Sequence, residues 1–182
     1  MATPPAEADP PATDAPASDA AATALALVTE LAQRGLTVAT AESLTGGLVA
    51  AAITGVPGAS TVFRGGVVAY ATAVKAAVLG VPQAVLSEHG PVAPATAGAM
   101  AAAARVLLGA DLALATTGVA GPDPVGSIPP GVVFVAAQLG EGAPQVERLQ
   151  VRGDRGTVRE ASADAALRLG LRLCRAGYTT GE

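Results

Sequence analysis

A serine stands in Glu42-Ser-Leu-Thr-Gly-Gly47, between two runs of different character. Residues 36–41 are short and apolar and carry threonine and valine, as a buried strand does. From Thr45 onward the chain is alanine-rich with Leu48, Val49 and Ile53, which suits a packed helix. A strand that turns sharply into a helix through small and hydroxyl residues exposes backbone N–H groups at the helix start. Those groups, with the helix dipole, favour a phosphate, a carboxylate or a developing oxyanion. Ser43 and Thr45 add hydroxyls able to cap the helix, bind a ligand or attack one. Gly46 and Gly47 equally suit a plain capped turn, so the spacing alone leaves both readings open. It is neither a Walker phosphate loop, since no Gly-Lys-Ser/Thr follows, nor a Gly-x-Ser-x-Gly nucleophile elbow.

A nucleophilic Ser43 needs a base. The single histidine, His89 in Ser87-Glu-His-Gly90, reads as a solvated residue of a surface turn. The single cysteine, Cys174, falls near the end of an amphipathic stretch and reads as a small buried hydrophobe. With these and no close set of carboxylates, no metal-ligand cluster is expected. Lys75 is the remaining candidate. With Thr72 as N-cap it occupies the third position of a short helix, where the dipole repels cations. Two readings fit it: a long stem carrying its charge out to water, or a lysine whose pKa the dipole and partial burial lower to give a neutral amine. Arg155 is a second cation in a helix's first turn, and Arg64 is a weaker candidate for anion binding that equally suits a surface ion pair. Thr117 and Gly118 close a buried strand, where open α/β sheets place ligands, and are expected to line the pocket.

The elements that must position these groups follow from local pattern. Residues 1–20 hold no large apolar side chain after Met1 and are expected to form a disordered tail. A first helix is predicted over residues 21–34, with Leu25, Val28, Leu31 and Ala32 on one face and Gly35 as its C-cap. Strands are predicted at 63–71 and 111–117, and an antiparallel pair at 131–139 and 146–152. A short helix follows Thr72, residues 83–93 are mostly connection, and Pro94 opens an alanine-rich helix ending near 108–109. Asp154 caps the last helix, whose apolar face carries Val158, Ala161, Ala165 and Leu169. Strands interleaved with helices predict a single three-layer α/β/α domain over residues 21–176, a mixed sheet covered on both faces, with 177–182 a flexible C-terminus.

Composition bounds the partners. Apolar residues make up 51% of the 182 but aromatics only 2%, so the core must be built from Ala, Val and Leu with close helix–sheet contacts. A net charge of −4 and the absence of a basic stripe argue against nucleic acid. Residues 43–63 carry no charge, but Pro57 and four glycines argue against a membrane span. With no signal-peptide pattern at the N-terminus, a soluble cytoplasmic protein is expected.

Ala41-Glu-Ser-Leu-Thr-Gly-Gly47 resembles the opening motif of the CinA C-terminal domain family, nicotinamide-nucleotide amidohydrolases of the PncC type. Three further stretches match that family in order: Phe63-Arg-Gly-Gly-Val-Val-Ala-Tyr70 with Lys75, Thr117-Gly-Val-Ala-Gly-Pro122, and Gly153-Asp-Arg155. The resemblance runs from about residue 25 to 176. It implies hydrolysis of the carboxamide of nicotinamide mononucleotide to nicotinic acid mononucleotide and ammonia, without metal or organic cofactor. Ser43 would be the nucleophile, and Lys75 would take its proton through or beside Tyr70. N–H groups after Ser43 would hold the oxyanion, and Arg155 with the N–H groups of Thr45, Gly46 and Gly47 would hold the phosphate. A homodimer or larger homo-oligomer is also implied. Two other readings stand beside it: a non-catalytic nucleotide-binding module, and an interaction protein of competence or DNA-damage response. Leu44 stands where many members carry cysteine, Ala71-Thr72 replaces a usual Ser-Asn, and residues 121–131 form a shorter, more proline-rich loop.

Overall fold

Alternation along the central strands decides the architecture. In β4 (Leu112–Gly118), Leu112 and Leu114 face one cluster of buried residues, while Ala113 and Ala115 face another. A strand apolar on both faces must be covered on both, and it is. The computed structural model describes residues 12–14 and 19–176. Its sheet has six strands, in the order β1 (Ala12–Asp14), β6, β5, β4, β2, β3. β2 (Val38–Glu42) lies between β3 (Phe63–Val68) and β4, parallel to both. β5 (Val132–Leu139) is antiparallel to β4 and to β6 (Gln145–Gln150), so the sheet is mixed.

On the leucine face lie α1 (Ala20–Arg34), α2 (Leu48–Thr54) and α6 (Arg155–Ala176). On the alanine face lie α4 (Gln83–His89) and α5 (Pro94–Leu108), beyond the short α3 (Thr72–Ala77). Ala97, Ala101 and Ala104 of α5 are buried in the same cluster as Ala113, Ala115 and Ala136 of the sheet. Small residues on both sides let helix and sheet approach closely, as the shortage of aromatics requires.

Caps set the helix limits. Asp19 accepts from the Ala22 N–H at 3.2 Å, and Gly35 ends α1 in the left-handed region at φ 64°. Pro94 opens α5, and Asp154 accepts from the Thr157 N–H at 2.8 Å at the start of α6. All four residues predicted on the inner face of α6 are buried.

Four expectations need correction. The tail is not wholly without structure: β1 (Ala12–Asp14) pairs parallel with β6, because backbone pairing at a sheet edge needs no large side chains. The rest of residues 1–18, and residues 177–182, lie outside the described residues. Leu25 is 55% exposed and Ala32 is exposed too, since the inner stripe of α1 runs Ala24, Leu27, Val28, Leu31 and Leu25 sits about 100° round from Ala24. Most of residues 83–93, expected as connection, forms α4, whose Leu86 is buried. Finally, Ala71 rather than Thr72 occupies the N-cap of α3.

Candidate active site

The parallel register sets Glu42 beside Val68 on one side and Thr116 on the other. Ser43 and Ala69–Tyr70, which follow β2 and β3, and Thr117 near the end of β4 therefore lie at the carboxyl ends of three adjacent strands. That is where open α/β sheets build sites. α3 returns over this end and inserts Lys75, the chain's only lysine, which is 1% exposed. Its Nζ donates to Ser43 Oγ at 2.8 Å and to the Ala69 carbonyl at 2.8 Å. Ser43 is itself 9% exposed.

Burial disfavours the ammonium and pushes the Lys75 pKa down from its ordinary value to about 8. The helix dipole expected to help is not the cause. α3 has six residues, and Lys75 lies as near its end as its beginning.

Glu42 governs the turn after Ser43. It is 1% exposed, and its carboxylate accepts from Thr45 Oγ1 at 2.8 Å and from the N–H groups of Gly47, Val49 and Ala50 at 2.9, 3.1 and 2.8 Å. Thr45 Oγ1 also meets Thr116 Oγ1 at 2.7 Å, which ties the turn to β4. The anion at the start of α2 is thus the protein's own. The Gly46 N–H is engaged too, donating to the Ser43 carbonyl at 3.1 Å. The expectation that the N–H groups of Gly46 and Gly47 hold a phosphate is corrected accordingly, because both donors are already used. Two N–H groups of the turn, those of Leu44 and Thr45, donate to no protein acceptor among the described residues.

From the other side, Arg159 of α6 donates through Nε to the Leu44 carbonyl at 3.0 Å and through Nη2 to the Thr45 carbonyl at 2.8 Å. Arg155, one turn earlier and exposed, donates to the Gly121 carbonyl at 2.8 Å and to the Tyr70 hydroxyl at 2.7 Å. It thereby joins the loop after β3 to the loop after β4. Tyr70 is 59% exposed, and no hydrogen bond links it to Ser43 or Lys75.

Thr117 neighbours the serine through Thr116, whose carbonyl accepts from the Ser43 N–H at 3.0 Å. Thr117 is fully buried with its hydroxyl donating to the Pro91 carbonyl at 2.7 Å, so it is spent on structure. Gly118 packs on β5, where a Cβ would lie 2.8 Å from Val132 O and Val133 Cα. Close contact with β5 fixes glycine at this position. Arg64 stands near the opposite end of the sheet, where its charge joins hydrogen bonds from Thr37 in holding Asp111 below the usual carboxylate range. His89 is exposed beside Glu88. Cys174 is buried, and burial pushes its thiol up to about 11. Among the described residues no group of three His, Cys, Asp or Glu side chains could hold a metal, and no helix is long and apolar enough to cross a membrane.

Sequence reasoning missed Glu42 and Arg159. Glu42 stood inside the motif, and an acid just before a helix is a recognisable cap signal. Arg159 lies four residues after Arg155 and so on the same face of α6, which was the available clue.

The family model described as "CinA C-terminal domain" matches residues 20–174. A CinA-like protein of Frankia casuarinae is 46% identical over 152 residues, covering 84% of this chain and 35% of its own length. The crystal structure of competence/damage inducible protein CihA from Agrobacterium tumefaciens superposes with a TM-score of 0.81 at 34% identity, covering 85% of this chain and 94% of that one. A CinA superfamily protein from Klebsiella pneumoniae gives 0.83 at 28% identity, over 87% and 99%. The chain belongs to the CinA C-terminal domain family. It spans about a third of the length of the curated relatives it matches.

Proposed function

We propose that this domain is an amidohydrolase that removes the carboxamide nitrogen of nicotinamide mononucleotide, with Ser43 as nucleophile and Lys75 as base. One observation carries the reading: a buried lysine, with its pKa near 8, lies 2.8 Å from the serine hydroxyl. A lysine held that low is neutral in about a tenth of molecules at pH 7, enough to act as a general base. Neutral Lys75 accepts the Ser43 proton as Oγ attacks the amide carbon. The carbonyl oxygen becomes an oxyanion, for which the Leu44 N–H directly after Ser43 is the donor the turn leaves. The tetrahedral intermediate collapses as the Lys75 ammonium protonates the amide nitrogen, and ammonia leaves. Water, deprotonated by Lys75, hydrolyses the resulting ester and restores Ser43.

Tyr70 enters as the partner of Arg155, with both exposed at the rim where the ribose phosphate would lie. A proton relay through Tyr70 receives no support from its hydrogen bonds, and the same resemblance that suggests the substrate suggests this phosphate contact for Arg155. The test is ammonia release from nicotinamide mononucleotide by the wild type and by Ser43→Ala, Lys75→Ala and the double variant. Each single change should lower kcat by several orders of magnitude, and the double variant should fall little further, because the pair acts as a unit. Wild-type protein that binds the mononucleotide without releasing ammonia would make the domain a binding module.

A further inference from the structure

The rim beside Ser43 carries a cation that the protein leaves unneutralised. Arg34, Arg105, Arg168, Arg172 and Arg175 each meet a carboxylate. Arg155 is exposed and, among the described residues, meets none. The acid next to it, Asp154, is turned to Thr157 and accepts from its N–H and its hydroxyl, both at 2.8 Å. A guanidinium has five N–H donors. Arg155 uses two of them on neutral acceptors, the Gly121 carbonyl at 2.8 Å and the Tyr70 hydroxyl at 2.7 Å, and the others stay available. Those two bonds reach the loops after β4 and β3, on either side of β2, so they fix the guanidinium across the strand end that carries Ser43.

Tyr70 is the acceptor in its contact with Arg155, which leaves its own hydrogen to place. A phenol can receive and donate at once. The Tyr70 O–H meets no acceptor among the described residues, and the side chain is 59% exposed. A cation donating to the oxygen polarises the group and strengthens its O–H as a donor. A relay would need that O–H to reach Ser43 Oγ or Lys75 Nζ, whose hydrogen bonds run to each other and to the Ala69 carbonyl instead. The pair therefore offers one charged and one neutral donor, centred 2.7 Å apart and open to solvent. Neighbouring oxygens of a phosphate monoester satisfy both without breaking the bonds already made.

We propose that Tyr70 is a substrate-binding residue whose O–H, with the free N–H groups of Arg155, holds the substrate's phosphate. The inference rests on the phosphate-bearing substrate of the proposed function, not on the chemistry at Ser43. In Ser43→Ala protein, where ligand is not turned over, titration calorimetry gives the affinity for nicotinamide mononucleotide, for ribose 5-phosphate and for the riboside that lacks phosphate. Tyr70→Phe keeps the ring and should weaken both phosphorylated ligands by about 10- to 100-fold, the usual loss for one hydrogen bond to a charged group. Affinity for the riboside should not change. Tyr70→Phe should weaken the mononucleotide further in an Arg155→Ala background, because the phenol touches the ligand itself. With Ser43 restored, the loss should appear in KM while kcat stays near that of wild type. Unchanged affinity for both phosphorylated ligands, an equal loss for the riboside, or no further loss in the Arg155→Ala background would each overturn the proposal. So would a fall in kcat at constant KM, which is the mark of a proton relay. Ribose 5-phosphate that depends on Tyr70, with no ammonia released from the mononucleotide by wild type, would instead remove the amidohydrolase reading and leave this one standing.

Discussion

Replacing Lys75 by methionine separates what the site costs from what it does. The lysine is 1% exposed and makes two hydrogen bonds, and its pKa falls from 10.5 to about 8. That displacement corresponds to about 3 kcal/mol of disfavoured charge at neutral pH. Methionine fills similar space without the charge, but leaves the Ala69 carbonyl and Ser43 hydroxyl without their donor, at a cost of about 1–3 kcal/mol. The net change at pH 7 should lie between about zero and +2 kcal/mol in favour of Lys75→Met, while turnover disappears. The pH dependence is sharper still. Between about pH 8 and 10.5 the unfolded chain holds the lysine proton and the folded chain does not, so wild-type stability rises with pH across that window. Cys174 works against this from about pH 9, since its folded thiol stays protonated while the unfolded one ionises. That contribution is common to both proteins, so subtracting the Lys75→Met urea curve from the wild-type curve at each pH isolates the lysine. The difference should grow by about 3 kcal/mol in favour of wild type from pH 7 to 10.5. A flat difference, or a variant less stable than wild type by more than about 2 kcal/mol at pH 7, would refute the burial argument.

Other perturbations follow from the same contacts. Glu42→Ala strips four donors of their acceptor and should cost about 3–5 kcal/mol in chemical denaturation. Glu42→Gln keeps an oxygen for the three donors that meet Oε2 but opposes its amide to the Ala50 N–H, so a smaller loss of about 1–3 kcal/mol is expected. Near-equal stability of both with wild type would show that the cap is dispensable. Arg155→Ala should change stability by less than about 1 kcal/mol, because its contacts are exposed. It should raise KM for the mononucleotide more than for the riboside that lacks the phosphate, and an equal rise for both would place the phosphate elsewhere.

Much of the fold was legible because it is written locally. Gly35, Pro94 and Asp154 mark helix limits through their own backbone preferences, and the predicted strands fall within a few residues of β2 to β6. Rotation about α1 was read one position off because Leu25 outweighs Ala24 in hydrophobicity, although Ala24 is the residue that packs. Edge strand β1 was invisible because its pairing is made by backbone, which every sequence possesses.

Within the site, the sequence by itself offered Ser43 and Lys75 as candidates and left a capped turn and a solvated lysine standing beside them. The hydrogen bond between Ser43 and Lys75, across 32 positions, exists only because α3 folds back over the end of the sheet. Which donors the turn had left was likewise undecidable from its own residues. The Glu42 carboxylate bends back onto α2, and Arg159 arrives from 115 residues downstream. A run of small and hydroxyl residues specifies that N–H groups gather at one point. Only packing decides which are consumed within the protein and which remain to meet a substrate, because each hydrogen bond forms where the two groups are brought together.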